Sequence, residues 1–176
     1  MRWQQPEMMR HLSGWLLLLL LLPLGSGCGF QLRGSATLPP ELKQLALQGV
    51  ASDSPLAEAL RLEMAGRGGV LLTDPTAAPL TLVIVGEAIQ RRVLSVDSAG
   101  RASEYELSHQ IRFLLQDQAG KRRLSADQVT LYRSYRFDPD DILGKSQEEA
   151  LLQHELRQLV VQQMLSQLRA RLMASE

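Results

Sequence analysis

Residues 79–137 constrain the fold most, because they contain three extended runs separated by two short turn sequences. The first run follows Pro79, is mostly β-branched, and is expected to continue as a strand to Val96. The turns fall at residues 97–100 and 117–121, where Asp, Ser and Gly supply turn chemistry. The strand between them alternates, with one face formed by Tyr105, Leu107, His109, Ile111 and Phe113. With a third strand over residues 124–137, this segment predicts an antiparallel meander.

Two helices are predicted on either side of the meander. Asp53-Ser54-Pro55 indicates a helix start, because a capping side chain precedes proline in the first turn, and Gly66 is a natural end. Apolar residues at helical spacing lie between these signals. Ser146 and Glu149 form a capping box before a second, longer amphipathic helix that is expected to extend towards Leu172.

One more strand completes the predicted sheet. Residues 42–47 suit a first strand, after an extended lead-in where Pro39 and Pro40 oppose a helix. Residues 70–72 are also expected to be extended. The predicted fold is therefore α+β, a two-layer sandwich in which two helices pack on one face of a mostly antiparallel four-stranded sheet. The other face of the sheet and its hairpin tips should remain polar and accessible.

The first 27 residues have the layout of a secretory signal. Arg2 and Arg10 precede a short apolar run over residues 15–22, and small residues follow Pro23. A membrane-spanning helix needs about 20 apolar residues, so an uncleaved anchor is the less favoured alternative. We therefore expect residues 1–27 to be a lipoprotein signal peptide and residues 28–176 to be one domain outside the cytoplasm.

Cys28, the single cysteine, follows Gly25-Ser26-Gly27, which resembles the lipobox of bacterial lipoproteins, although Leu24 stands one place earlier than usual. The resemblance implies that Cys28 is acylated and becomes the first residue of the mature protein. Several acyl chains anchor a protein firmly, whereas a single chain binds only marginally. Gly29 stands where an Asp would resemble an inner-membrane retention signal, so the outer membrane is expected.

Charge and residue types exclude several classes of function. Cleavage before Cys28 removes Arg2, Arg10 and Glu7, which leaves a formal charge of −1 and no overall field to attract nucleic acid. His154-Glu155 begins like a zinc-protease helix, but the matching position holds Gln158. The acidic residues near position 139 are expected to form a solvated turn rather than a calcium loop. No catalytic residue, metal site or cofactor is predicted.

Basic residues are concentrated in the strands and their connections. A solvated strand edge, where charge prevents aggregation, is the interpretation that the sequence alone favours. The alternative is a cationic rim that binds a phosphorylated ligand through charge-assisted hydrogen bonds. The residues concerned are Arg91, Arg92, Arg101, Lys121, Arg122, Arg123, Arg133, Arg136 and Lys145.

Three segments, in order, resemble one known family, that of the lipopolysaccharide-assembly lipoprotein LptE. Cys28-Gly29-Phe30-Gln31-Leu32-Arg33 resembles the family's opening motif, and Gly100 to Tyr105 is similar to its G-x-x-x-E-Y hairpin. Tyr132-Arg133-Ser134-Tyr135, followed by Asp138-Pro139, resembles its aromatic strand end. The order of helices and strands agrees as well, so the resemblance covers nearly the whole chain.

The resemblance implies a partner, a ligand and a location. The partner is the β-barrel translocon LptD, in whose lumen the domain acts as a plug. The ligand is lipopolysaccharide, which is bound and delivered to the cell surface. The location is the outer membrane, with the domain facing the periplasm and the barrel lumen. A purely structural outer-membrane lipoprotein, which scaffolds some other envelope complex, is the alternative.

The resemblance also suggests which cations contact the ligand. One of the family's two basic positions falls on Lys145, and the other falls on Ser98, where Arg101 is expected to substitute from three places later. Lys145 and Arg101 are expected in exposed turns, where they would reach lipid A phosphates. Arg91 and Arg92 are predicted as further ligand contacts.

Overall fold

The computed structural model of the protein describes residues 38–138 and 140–174. The predicted signal peptide and Cys28 lie outside these residues. In chain order the elements are β1 (Gln44–Gln48), α1 (Pro55–Gly66), β2 (Val70–Leu72), β3 (Leu80–Val96), β4 (Ala102–Asp117), β5 (Arg122–Arg136) and α2 (Ile142–Met173). The three-stranded meander and both helices are confirmed. None of the described helices is both long enough and apolar enough to span a membrane.

The sheet has five strands and mixed direction, so the predicted four-stranded, mostly antiparallel sheet is wrong in this detail. Its strand order is β2-β1-β3-β4-β5. β1 pairs in parallel with both β2 and β3, whereas β3, β4 and β5 pair antiparallel. Helix α1 provides the crossover that parallel pairing of β1 and β2 requires. With three residues, β2 is too short to show the alternation that identifies a strand.

Both helices pack on one face of the sheet, as predicted. Alternate residues of β4 are buried there, whereas Glu106, Ser108 and Gln110 point to the other face. A single main core joins α1, the second half of α2 and the strands. Its largest fully buried members include Leu45, Leu56, Leu60, Met64, Leu82, Ile111, Phe113, Leu115 and Met164.

The start of α1 is confirmed and the start of α2 is corrected. Ser54 Oγ accepts a hydrogen bond from Ala57 N at 3.1 Å, and proline follows Ser54 in the first turn. Helix α2 begins at Ile142, four residues before Ser146, because Asp141 Oδ1 accepts from Gly144 N at 3.1 Å. Ser146 therefore lies inside the helix, where its hydroxyl donates to the Leu143 carbonyl at 2.8 Å.

Two smaller features connect β1 to its neighbours. Residues Pro40–Leu42 form one 3₁₀ turn before β1, where an extended lead-in is predicted, because proline is tolerated in a first turn. After β1, Gly49 has a φ of +89° and its backbone lies against the Ile84 carbonyl. A side chain at this position would clash with that backbone, so the close approach of this loop to β3 requires glycine.

Candidate functional site

The β3–β4 turn, the end of β5 and the first turns of α2 meet at one end of the sheet, which we call the distal end. A cleft opens there between strands and helix. It is lined by Ser95, Ser103, Glu104, Arg136, Phe137, Asp138 and Lys145. Hydroxyls, two cations, two carboxylates and one aromatic ring therefore converge on a single depression.

Lys145 lies in the first turn of α2 and lines this cleft. Its Nζ donates to Glu148 Oε2 at 2.8 Å, and its side chain is 22% exposed. The predicted exposed turn is wrong, because Asp141 caps the helix before Lys145 is reached. The helix fixes the position of the ammonium group beside the end of the sheet, whereas a loop would leave the group mobile.

Arg91 lies outside the cleft, within a cluster of side chains on the helix-covered face. Its guanidinium donates to Glu149 Oε2 at 2.8 Å and lies 4.7 Å from the centroid of the Tyr105 ring. Tyr135 Oη donates to the same carboxylate oxygen at 2.6 Å. Tyr105 also contacts the rings of Tyr135 and Phe137, with centroids 5.8 and 5.3 Å apart. We call these five residues the distal cluster.

Electrostatics in the distal cluster follow from this shared carboxylate. Burial opposes the charged form of Glu149, but hydrogen bonds from Tyr135 and Arg91 outweigh it and lower the pKa of the carboxyl. Burial, followed by the hydrogen bond to Glu149, raises the pKa of Tyr135 to about 12. The hydrogen bond that Arg91 itself donates to Glu149 raises the pKa of Arg91. At neutral pH the cluster therefore contains one ion pair and a neutral phenol.

Arg92 lies on the opposite face from Arg91, because neighbouring residues of a strand point to opposite sides. Its Nε donates to Glu106 Oε1 at 2.7 Å, and this contact raises the pKa of Arg92. The pair borders a shallow groove on the face that the helices leave uncovered. The groove is lined by Ala88, Gln90, Arg91, Arg92, Glu106, Ser108, Gln110, Thr130 and Tyr132. This uncovered face is polar, as predicted.

Arg101 follows the β3–β4 turn and is held by the turn itself. Its Nε donates to Asp97 Oδ2 at 2.9 Å, and its backbone N–H donates to Asp97 Oδ1 at 2.9 Å. The backbone hydrogen bond from Arg101 is the main cause of the lowered pKa of Asp97. Of the four predicted cations, Lys145 alone lines the cleft, whereas Arg91 and Arg92 both line the groove.

The remaining predictions concern a histidine and a group of acidic residues for which no catalytic or metal-binding role is expected. His109 is fully buried on the apolar face of β4, as predicted, and its Nε2 lies 2.9 Å from Glu87 Oε1. Asp138 and Asp141 accept backbone hydrogen bonds within the turn before α2 and at its first residues. In residues 38–138 and 140–174, no group of three or more His, Cys, Asp or Glu side chains is arranged to hold a metal.

Comparison of the sequence with known families identifies one match. The sequence model of the LptE family, described as lipopolysaccharide-assembly, matches residues 42–168. The match extends from the residues before β1 to within a few residues of the end of α2, and so includes every strand, α1 and the cleft.

Individual relatives and solved structures agree. An LPS-assembly lipoprotein LptE from Yersinia enterocolitica is 30% identical over 161 residues, which cover 91% of this chain and 77% of the relative. A lipoprotein B from Nitrosomonas europaea superposes with a TM-score of 0.69 at 24% identity, covering 84% of this chain and 94% of that one. The rare lipoprotein B of Shewanella oneidensis gives a TM-score of 0.64 at 24% identity, with coverages of 74% and 97%. These two structures support the fold.

Proposed function

Because the chain belongs to the LptE family, we propose that it is an envelope lipoprotein that plugs the LptD β-barrel and binds lipopolysaccharide for delivery to the cell surface. The family description names an assembly role. The observation that carries the proposal is the division of the sheet into one face buried by helices and one uncovered polar face.

The uncovered face fits the wall of a barrel lumen. The interior of an outer-membrane barrel is polar, so a plug must present hydrogen-bonding groups to it. Gln90, Ser108, Gln110 and Thr130 present such groups along the middle of the sheet. The helices pack on the other face of the sheet, so the core of the domain does not depend on contact with the wall of the barrel.

Co-purification of a β-barrel with the tagged protein tests the proposal that the domain is a plug. Tagged full-length protein is extracted in detergent, and bound proteins are identified by mass. We expect a large β-barrel, and Ser108→Trp should reduce its recovery because a bulky ring on the uncovered face prevents close contact. The matched control is Leu62→Trp, on the exposed surface of α1. Recovery of another envelope complex without a barrel would instead support the scaffolding alternative.

Lys145 is the proposed ligand contact, because it lines the cleft on a rigid helix. An ammonium group forms charge-assisted hydrogen bonds with phosphate oxygens, which lipid A provides. We predict that Lys145→Asp weakens lipopolysaccharide binding and leaves the fold intact. The control is Lys121→Asp, the same charge change in the β4–β5 turn. Equal binding by wild type and Lys145→Asp in a pull-down at moderate salt would contradict the prediction.

The three arginines predicted as further ligand contacts stay predictions. Arg91, Arg92 and Arg101 do not line the cleft, and each donates, as Lys145 does, to a carboxylate of the protein with which a ligand phosphate must compete. Among these three, Arg92 and Arg101, whose side chains are 69% and 64% exposed, are more accessible to a large ligand than Arg91, which is 48% exposed.

Attachment to the outer membrane is proposed through acylated Cys28. The expected evidence is a mature protein whose amino-terminal residue is Cys28, with a mass increased by acyl chains. Cys28→Ser should release the domain from the membrane fraction without changing its thermal unfolding. An unacylated mature chain that begins at another residue would refute this anchor.

A further inference from the structure

Arg136 is the second cation of the distal cleft. It is the last residue of β5, directly opposite Glu104 of β4, and its side chain is exposed. The next residue fixes the strand end, since Phe137 N donates to the Ser103 carbonyl at 3.0 Å. Within the described part of the chain, the guanidinium of Arg136 makes neither a hydrogen bond nor an ion pair. Its donors are therefore available to a ligand.

A pair of hydroxyls lies in the same cleft. Ser95 Oγ and Ser103 Oγ are 2.9 Å apart, so one hydroxyl donates to the other. The accepting hydroxyl keeps its own proton, which can be donated to an anion. Register shifts in the β3–β4 pairing occur on both sides of Ser95. Such bulges re-aim a side chain, and here they flank Ser95, one of the two serines that line the cleft.

The acidic residues in the cleft limit what it can bind. Asp138 Oδ1 already accepts from Asp140 N at 2.9 Å, and Glu148, which does not itself line the cleft, accepts from Lys145. Glu104 lies opposite Arg136 in the sheet. With this balance of charge, the cleft suits a single compact phosphate group rather than an extended polyanion. Binding of such a group should be weakened strongly by salt.

Exposed apolar side chains adjoin the cleft in sequence. Leu94 and Val96 flank Ser95 and are 43% and 60% exposed. Ile142 and Leu143, 66% and 74% exposed, precede Lys145 in the first turn of α2. Exposed apolar side chains beside a polar cleft can extend a binding surface. A ligand with a phosphate beside acyl chains would use both features, whereas a soluble nucleotide or sugar phosphate would use one.

We infer that Arg136, with the Ser95–Ser103 hydroxyl pair, completes a phosphate subsite with Lys145, and that the adjoining apolar side chains contact acyl chains of the same ligand. This inference rests on the proposed function, which supplies lipopolysaccharide as the ligand. The guanidinium forms two parallel hydrogen bonds to a phosphate, and the ammonium contributes a point charge.

The test measures lipopolysaccharide binding by the full-length chain in detergent, for Arg136→Gln and for Arg133→Gln. Arg133 is an exposed arginine of the same strand and does not line the cleft. We expect Arg136→Gln to weaken binding about tenfold, the effect of losing one charge-assisted contact, and Arg133→Gln to leave it unchanged. Both variants should unfold at the wild-type temperature. Equal affinities of the two variants would overturn the inference.

A second arm uses lipopolysaccharide from which the lipid A phosphates have been removed. The difference between wild type and Arg136→Gln should then disappear, because the subsite has lost its ligand group. A difference that persists would show that Arg136 acts elsewhere. If Lys145→Asp weakens binding and Arg136→Gln does not, the proposed function stands and the subsite is refuted. If wild type binds no lipopolysaccharide, ligand binding in the proposed function fails first.

Discussion

The main core and the distal cluster stabilise the two ends of the same sheet by different kinds of contact. In the main core, leucine, phenylalanine and methionine side chains from β1, β3, β4 and both helices are buried together. At the distal end, Arg91, Tyr105, Tyr135, Phe137 and Glu149 connect β3, β4 and β5 to the first half of α2 through rings, hydrogen bonds and an ion pair. A small apolar group around Leu107 and Leu156 supports them.

The two kinds of contact have different roles, because one provides the stability of the domain and the other positions the groups proposed to bind the ligand. Burial of apolar surface is non-directional and provides most of the stabilisation of a domain. Directional contacts near the surface add little free energy, but they fix where particular groups lie. At the distal end they hold the start of α2, which carries Lys145, beside the end of β5, which carries Arg136. The distal cluster therefore positions the proposed site, and the main core keeps the domain folded.

The largest expected effect comes from a cavity in the main core. Leu82→Ala should lower the free energy of unfolding by about 2–5 kcal/mol, because Leu82 is fully buried and its neighbours fill the lost volume only partly. Val85→Ala is the control on the same strand, since Val85 is half exposed. Denaturant unfolding measures both. Similar losses for the two variants would show that the main core does not dominate stability.

A second comparison uses two glycines with the same backbone conformation. Gly49 and Gly100 have φ values of +89° and +78°, so alanine at either position should cost about 1–2 kcal/mol of conformational strain. At Gly49 the added Cβ would also clash with the Ile84 carbonyl, whereas nothing lies near Gly100. Gly49→Ala should therefore lower the unfolding temperature clearly more than Gly100→Ala. Equal shifts would mean that the loop after β1 adjusts freely.

Local signals in the sequence were sufficient to predict much of the fold. Ser54 and Pro55 identified the start of α1, and turn residues identified both hairpins, because these signals act over a few residues. Strand β2 was missed as a sheet member, since its pairing depends on where α1 returns the chain. The predicted start of α2 is wrong because Asp141 and Ser146 are both possible caps, and the structure uses Asp141. The contact between Glu149 and Arg91 joins residues 58 apart in sequence, so no local signal could predict it.

The site was less predictable than the fold. Strand alternation alone implies that the side chains of Arg91 and Arg92 point to opposite faces of the sheet, and neither residue lines the cleft that contains Lys145. Selection of Lys145 relied on resemblance, and the structure places it in the cleft. The sequence could not show that Arg136 lines the same cleft, because that depends on how the helix start packs against the strand end. In the sequence Arg136 is one of several cations in the strands, and the structure distinguishes it by placing it in the lining of the cleft.

Loss of the shared carboxylate tests the distal cluster. Glu149→Ala should lower the free energy of unfolding by about 1–2 kcal/mol, because the buried Tyr135 hydroxyl loses its acceptor. Hydrogen exchange should quicken at the start of α2 and not in β1. A double-mutant cycle with Arg91→Ala should give a coupling below about 1 kcal/mol, since the arginine is half exposed. Uniform acceleration of exchange across the sheet would contradict a local role.

The smallest expected effect is seen at high pH. Folding raises the pKa of Tyr135 from the ordinary value of about 10 to about 12, because burial and the hydrogen bond to Glu149 favour the neutral phenol. A raised pKa means that this contribution to stability is complete below pH 10 and is lost as the pH rises towards 12. Absorbance of the phenolate should show Tyr135 ionising near pH 12. Tyr135→Phe should remove the absorbance change near pH 12. If Tyr135→Phe removes no absorbance change near pH 12 while the protein remains folded, the Tyr135 hydroxyl is not held as described, and the main core alone fixes the position of α2.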